Sequence, residues 1–166
     1  VRHPGAVVAS KLRLGWGHEQ PLARYIGDQA LVAEYLYNYM SFLEKSLSPL
    51  EAHTVIWCIQ NVIPLAEFNK SARPVIFYER LVEGGGSEWT ELVKQLGLEK
   101  SPSYGSIEKP SQQTCRKEIN GNSSIAWRDQ FTNAQLDKIQ SVLDVFGVTV
   151  YRAREPMPVG SMQKSV

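Results

Sequence analysis

The sequence lacks a charge excess, a thiol framework and a long apolar run, and each lack excludes something. Its 18 lysines and arginines against 17 aspartates and glutamates leave a formal net charge of +1 over 166 residues. A chain that coats a polyanion carries a visible basic surplus, so no nucleic-acid partner is expected and any anion site has to be local. The two cysteines, Cys58 and Cys115, form no CxxC and have no histidine at ligand spacing. They read as two isolated thiols, which speaks against a disulfide framework and for a reducing, cytoplasmic setting. No metal site is expected either. No apolar stretch approaches the roughly 20 residues of a membrane helix, and no signal-type segment opens the chain. Histidine is scarce: His3, His18 and His53 are the full set. His53 sits on a helical pattern without an acidic neighbour, and His18 lies in a loop beside Glu19. Both read as surface or internally satisfied, His18 being the one that could line an acceptor pocket. "GGGSEW" has neither the lysine nor the preceding strand of a Walker loop, so it is a helix entry.

What is present suits one domain with a real core, since 43% of residues are apolar and 10% aromatic. Residues 1–150 are expected to form that unit and residues 151–166 a loose tail. Val1 and Arg2 read as the end of a strand turning into a helix, with Pro4 in the first helical turn, where its missing amide hydrogen costs nothing. "LGWGHEQPLARYIGD" reads as a structured loop. Asp28 caps a helical pattern carrying Leu31, Tyr35, Tyr39 and Leu43, and Ser48, Pro49 and Glu51 open another with a capping box. That second helix is apolar nearly all round and therefore central, with Pro64 set to kink or end it. "RPVIFYERL" is the clearest strand, a continuous apolar run that suits a parallel strand covered on both faces. A helix capped by Ser87 follows, then the turn-rich "SPSYGSIEKPSQQT". The best-specified helix begins at Thr132, with Gln135 completing a capping box, Phe131 and Leu136 forming a hydrophobic staple, and Gly147 as its stop. Trp57 and Trp127 read as core anchors.

The candidate site begins with "VRHPGAVVAS". In an open α/β sheet, ligands bind at the carboxyl ends of strands beside helix amino termini, and Arg2 stands at such a place. A planar guanidinium grips a phosphate monoester through two parallel hydrogen bonds, and a serine hydroxyl such as that of Ser10 can complete the grip. Glu79, following Tyr78, reads as structural: a cap for the next helix or a partner for an arginine.

The segments "VRHPGAVVAS", "VIFYERL" and "CRKEINGNSSIAWRDQFT" occur in an order and spacing that resembles the sulfotransferases using 3′-phosphoadenosine 5′-phosphosulfate. The likeness runs from Val1 to about Val148 and matches the second half of that family's domain. It implies an α/β, three-layer P-loop-type fold, a parallel sheet flanked by helices, of which this chain is the helix-rich carboxyl-terminal portion. It implies further that Arg2 and Ser10 hold the nucleotide 3′-phosphate, that Tyr78 lies against the adenine, and that Arg116 and Lys117 return to the 3′-phosphate, with Glu118 standing where the family has glycine. Catalytic residues are then expected upstream of Val1. The implied reaction moves a sulfuryl group from the nucleotide donor to a hydroxyl or amine of a small-molecule or carbohydrate acceptor. Two rivals remain: a nucleotide-binding module without chemistry, and another P-loop transferase such as a small-molecule kinase.

Overall fold

The computed structural model describes residues 1–16, 22–69, 75–84, 86–98 and 126–159. The elements run α1 (Pro4–Arg13), α2 (Ala23–Ile26), α3 (Gln29–Leu31), α4 (Met40–Leu43), α5 (Pro49–Asn69), α6 (Tyr78–Glu83), α7 (Ser87–Gln95) and α8 (Asn133–Val145). Between α3 and α4 the chain stays coiled but changes pitch, π-helical over Val32–Leu36 and 3-10 over Tyr37–Tyr39.

The expected parallel sheet is overturned: among the described residues there is no strand and no sheet. The "PVIFY" run is extended only as far as Phe77 (φ −95°, ψ 120°), and Tyr78 already begins α6. Its one backbone neighbour among the described residues is Val1, whose nitrogen donates to the Ile76 carbonyl at 2.6 Å and whose carbonyl accepts from the Tyr78 amide at 2.8 Å. That is a single rung of a ladder. β-propensity expresses fit to flanking strands, and without a second rung an apolar run does not become a strand.

The core is helical. α5 packs on both α1 and α8, and its residues Ala52, Val55, Ile56, Trp57, Cys58 and Ile59 are all buried, as a helix apolar nearly all round must be. Pro64 does not end it; the helix runs on to Asn69. Burial drives the Cys58 thiol upward, so it stays protonated and inert. α8 starts as its sequence dictates: Thr132 Oγ1 accepts from the Gln135 amide and the Gln135 side chain accepts from the Thr132 amide. It buries Leu136, Ile139, Val142 and Leu143 and is followed by Gly147 at φ 64°. α7 is capped differently from the expectation. Gly86, at φ 93°, holds the N-cap position, and Ser87 is the first helical residue, with its hydroxyl donating back to the Gly84 carbonyl.

Residues 151–159 are also not loose. Tyr151 and Ala153 are fully buried. The segment turns back on itself through a bridge between Arg152 and Glu155 and a Val159-to-Val150 backbone hydrogen bond. Gln140 of α8 accepts from the Ala153 amide, and Arg154 reaches Asp137 at 2.6 Å and Asn133 at 2.9 Å.

Candidate functional site

The structure brings Arg2 and Tyr78 together. The single Val1–Tyr78 rung fixes the two backbones side by side, and the exposed Arg2 guanidinium lies over the half-buried Tyr78 ring, 4.8 Å from its centre, a favourable cation–π contact. Tyr78 stands in the first turn of α6 and not at a strand end, because the chain turns helical immediately after Phe77. Ser10 lies on α1 with Val7 and Lys11 on its half-exposed stripe. Six residues at 1.5 Å each put it about 9 Å along the axis from Pro4. Arg116 and Lys117 lie outside the described residues, as do Glu118, His18 and Cys115.

The backbone around Arg2 is held at three points. Its own carbonyl accepts from the Trp57 indole N–H at 3.0 Å, and the next amide, that of His3, donates to Glu79 Oε1 at 2.7 Å. The preceding carbonyl, on Val1, accepts from Tyr78. Both peptide units flanking Arg2 are therefore pinned by groups from α5 and α6. An exposed long side chain usually rides on a yielding loop; this one rides on a fixed base, so less freedom is lost when it grips a ligand.

Glu79 is the centre of the support. It is fully buried, and its second oxygen accepts from the Tyr151 hydroxyl at 2.8 Å. A buried carboxylate is tolerable only when charge-assisted hydrogen bonds satisfy it. The neighbouring Tyr151 hydroxyl is held protonated, chiefly by burial and then by the Glu79 charge.

His3 completes the arrangement. Its Nδ1 accepts from the Gly5 amide at 3.0 Å, capping α1, which requires the ring hydrogen to sit on Nε2, where it donates to the Arg152 carbonyl at 3.1 Å. Burial pushes the imidazole down to about 4, against the pull of that carbonyl, so it is neutral at pH 7. Trp127 stacks on it at 4.2 Å between ring centres, and Tyr151 meets it edge-on at 4.9 Å. Gly5 permits the stack: a Cβ there would come 2.6 Å from Trp127 Cε3 and closer still to Cζ3.

His53, the other described histidine, is buried on α5. Its Nε2 donates to the Trp16 carbonyl at 3.1 Å, leaving Nδ1 with no partner among the described residues. Burial, and then Lys11, hold its pKa below the usual value. Sequence reasoning singled out Arg2 and Tyr78, took Glu79 as structural, and took Trp57 for a core anchor only. It missed that Glu79, Trp57, His3 and Tyr151 act together on one peptide. The available signal was the apolar run "PVIF" leading into Tyr78 and Glu79, a carboxylate that must find donors if the run is buried.

Among the described residues no group of His, Cys, Asp and Glu could hold a metal ion, and no helix is long and apolar enough to cross a membrane. Comparison with protein families, with curated proteins and with solved structures finds no match.

Proposed function

We propose that the chain binds 3′-phosphoadenosine 5′-phosphosulfate and serves in sulfuryl transfer from it to a hydroxyl or amine of a small-molecule or carbohydrate acceptor. The observation that carries this reading is an exposed guanidinium on a doubly pinned backbone, lying against an aromatic ring. A phosphate monoester and an adenine are the pair such a combination suits: Arg2 forks two N–H groups onto the phosphate oxygens, and the Tyr78 face offers a stacking surface. Ser10, Arg116 and Lys117 are the further proposed donors. None of these groups is a base. His3, next to Arg2, has both ring nitrogens engaged and is neutral, so it binds by position and takes no proton from an acceptor.

Calorimetry on the whole chain tests the reading. Adenosine 3′,5′-bisphosphate should bind more tightly than adenosine 5′-monophosphate by roughly tenfold or more, the worth of one charge-assisted contact of about 1.5 to 3 kcal/mol. Arg2→Ala should remove most of that difference, and Tyr78→Ala should weaken both nucleotides and also lower the difference, because Arg2 lies over that ring. Equal affinities in the unaltered chain, or a preference for ATP over the bisphosphate, would sink the assignment.

A further inference from the structure

We infer that Tyr151, acting through Glu79, is a positioning residue for the Arg2 guanidinium, so that the 151–158 segment sets how well the site discriminates a 3′-phosphate. The inference rests on the nucleotide reading for its ligand, and on geometry for its mechanism. Tyr151 meets both side chains that hold the Arg2–His3 peptide. Its hydroxyl donates to Glu79 Oε2 at 2.8 Å, while Oε1 of the same carboxylate holds the amide directly after Arg2. Its ring lies edge-on to Trp57 at 5.8 Å, the residue whose indole holds the Arg2 carbonyl. The same ring meets Phe77 at 5.8 Å, directly before Tyr78, and His3 at 4.9 Å.

The carboxylate cannot be rotated freely. If the Tyr151 hydroxyl is lost, Glu79 has one fewer donor in a buried place, and its best response is to turn towards another donor and slacken its hold on the His3 amide. The Arg2–His3 peptide then gains rotational freedom, and Arg2 swings off the Tyr78 ring. The segment is itself anchored on α8 through Ala153–Gln140 and Arg154–Asp137, so Tyr151 is a fixed point and not a passenger.

The test compares three whole chains: the unaltered one, Tyr151→Phe, which keeps the ring and removes only the hydroxyl, and Ile139→Val, which loosens the buried α8 face without touching Glu79. All are measured where circular dichroism shows them folded. The first readout is the ratio of affinities for adenosine 3′,5′-bisphosphate and adenosine 5′-monophosphate. In Tyr151→Phe this ratio should fall by about fivefold, on the scale of one weakened charge-assisted hydrogen bond, and in Ile139→Val it should stay unchanged. A ratio unmoved in Tyr151→Phe, or lowered equally in both variants, overturns the positioning role. The second readout uses no ligand: exchange of the His3 amide should quicken by about tenfold in Tyr151→Phe relative to Ile139→Val, one such bond being worth roughly that factor. If the unaltered chain shows no preference between the two nucleotides, the nucleotide reading fails by itself. The exchange result then decides the coupling: quickened exchange upholds it, and unchanged protection overturns it.

Discussion

Around the Arg2–His3 peptide, side chains from α5, α6 and the 151–158 segment converge, and Glu79, Tyr151 and both nitrogens of His3 have partners inside the protein. A few residues along the same α6, the picture reverses. α7 buries none of its residues, its Glu88 meets Arg80 at a loose 3.9 Å with both side chains more than a quarter exposed, and an open cavity of about 480 Å³ lies between it and Val75 and Ile76. The first region spends buried polar groups to fix one peptide, which raises the cost of any error there. The second carries its Arg80–Glu88 pair partly in solvent. Perturbing the two regions should therefore give effects of very different size.

The largest belongs to Glu79→Ala. It strands the His3 amide and the Tyr151 hydroxyl, each a buried donor left without an acceptor, at about 1–3 kcal/mol apiece. Urea unfolding followed by circular dichroism should show a loss of roughly 2–6 kcal/mol, the sum of two such penalties. A loss under 1 kcal/mol would mean that water reaches the carboxylate and that the clasp is not dry.

Second comes pH. Burial pushes the His3 imidazole down to about 4 in the fold, from the 6.5 of an ordinary histidine. Because the unfolded chain binds a proton over that interval and the folded one does not, stability is fully present above pH 6.5 and falls as pH drops towards 4. A shift of that size corresponds to about 3 kcal/mol. His53 is shifted in the same direction and adds slope of the same sign, so the telling quantity is the difference between the unaltered chain and His3→Asn, whose amide can still cap α1. If both chains lose the same stability between pH 7 and 4.5, His3 is not the titrating group.

Gly5→Ala should follow, since its methyl is driven into the Trp127 ring; overpacking of this kind costs about 1–3 kcal/mol. Trp127 is stacked on His3, so its movement should also change the indole fluorescence. An unchanged melt and spectrum would show that the ring has room to retreat.

The local features among these were legible in the sequence and the distant ones were not. The α8 capping box, the Asp28 cap that accepts from the Leu31 amide and Pro4 in the first turn of α1 are decided within four residues, where the chain alone supplies donor and acceptor. The strand at "PVIFY" was misread because a strand is a relation between segments, and the only partner it finds among the described residues is one residue long. Arg2 could be picked out as a residue type that grips phosphate, and Tyr78 only through the family resemblance. Their support could not, since Glu79 and Tyr151 are 72 positions apart and His3 and Arg152 are 149 apart. Over residues 151–159 the expected looseness is not seen, for the same reason: "REPMP" looks like an untethered turn-rich end until Tyr151 is placed between His3, Trp57 and Phe77.

A fourth prediction separates a local device from the clasp. Thr132→Ala removes one half of the exposed capping box and should cost about 1 kcal/mol, shifting the midpoint of the urea transition while leaving the proposed nucleotide discrimination untouched. A change in that discrimination would tie the start of α8 to Arg2 and erase the distinction between the two kinds of site.

The smallest effect is expected at Glu88→Gln. The Arg80–Glu88 pair is long and partly exposed, so its Coulomb gain is offset by solvent and by the entropy of holding two long side chains; pairs of this kind contribute about 0–1 kcal/mol. The substitution keeps the shape and removes the charge, and the stability should change by less than about 0.5 kcal/mol, the range for surface changes away from special features. Salt provides an internal check, because whatever the pair contributes should vanish by about 1 M, where the Debye length is near 3 Å. A loss approaching that of Glu79→Ala would show that α7 is held as firmly as the Arg2 clasp, and the contrast between a buried polar clasp and a yielding flank would no longer describe this molecule.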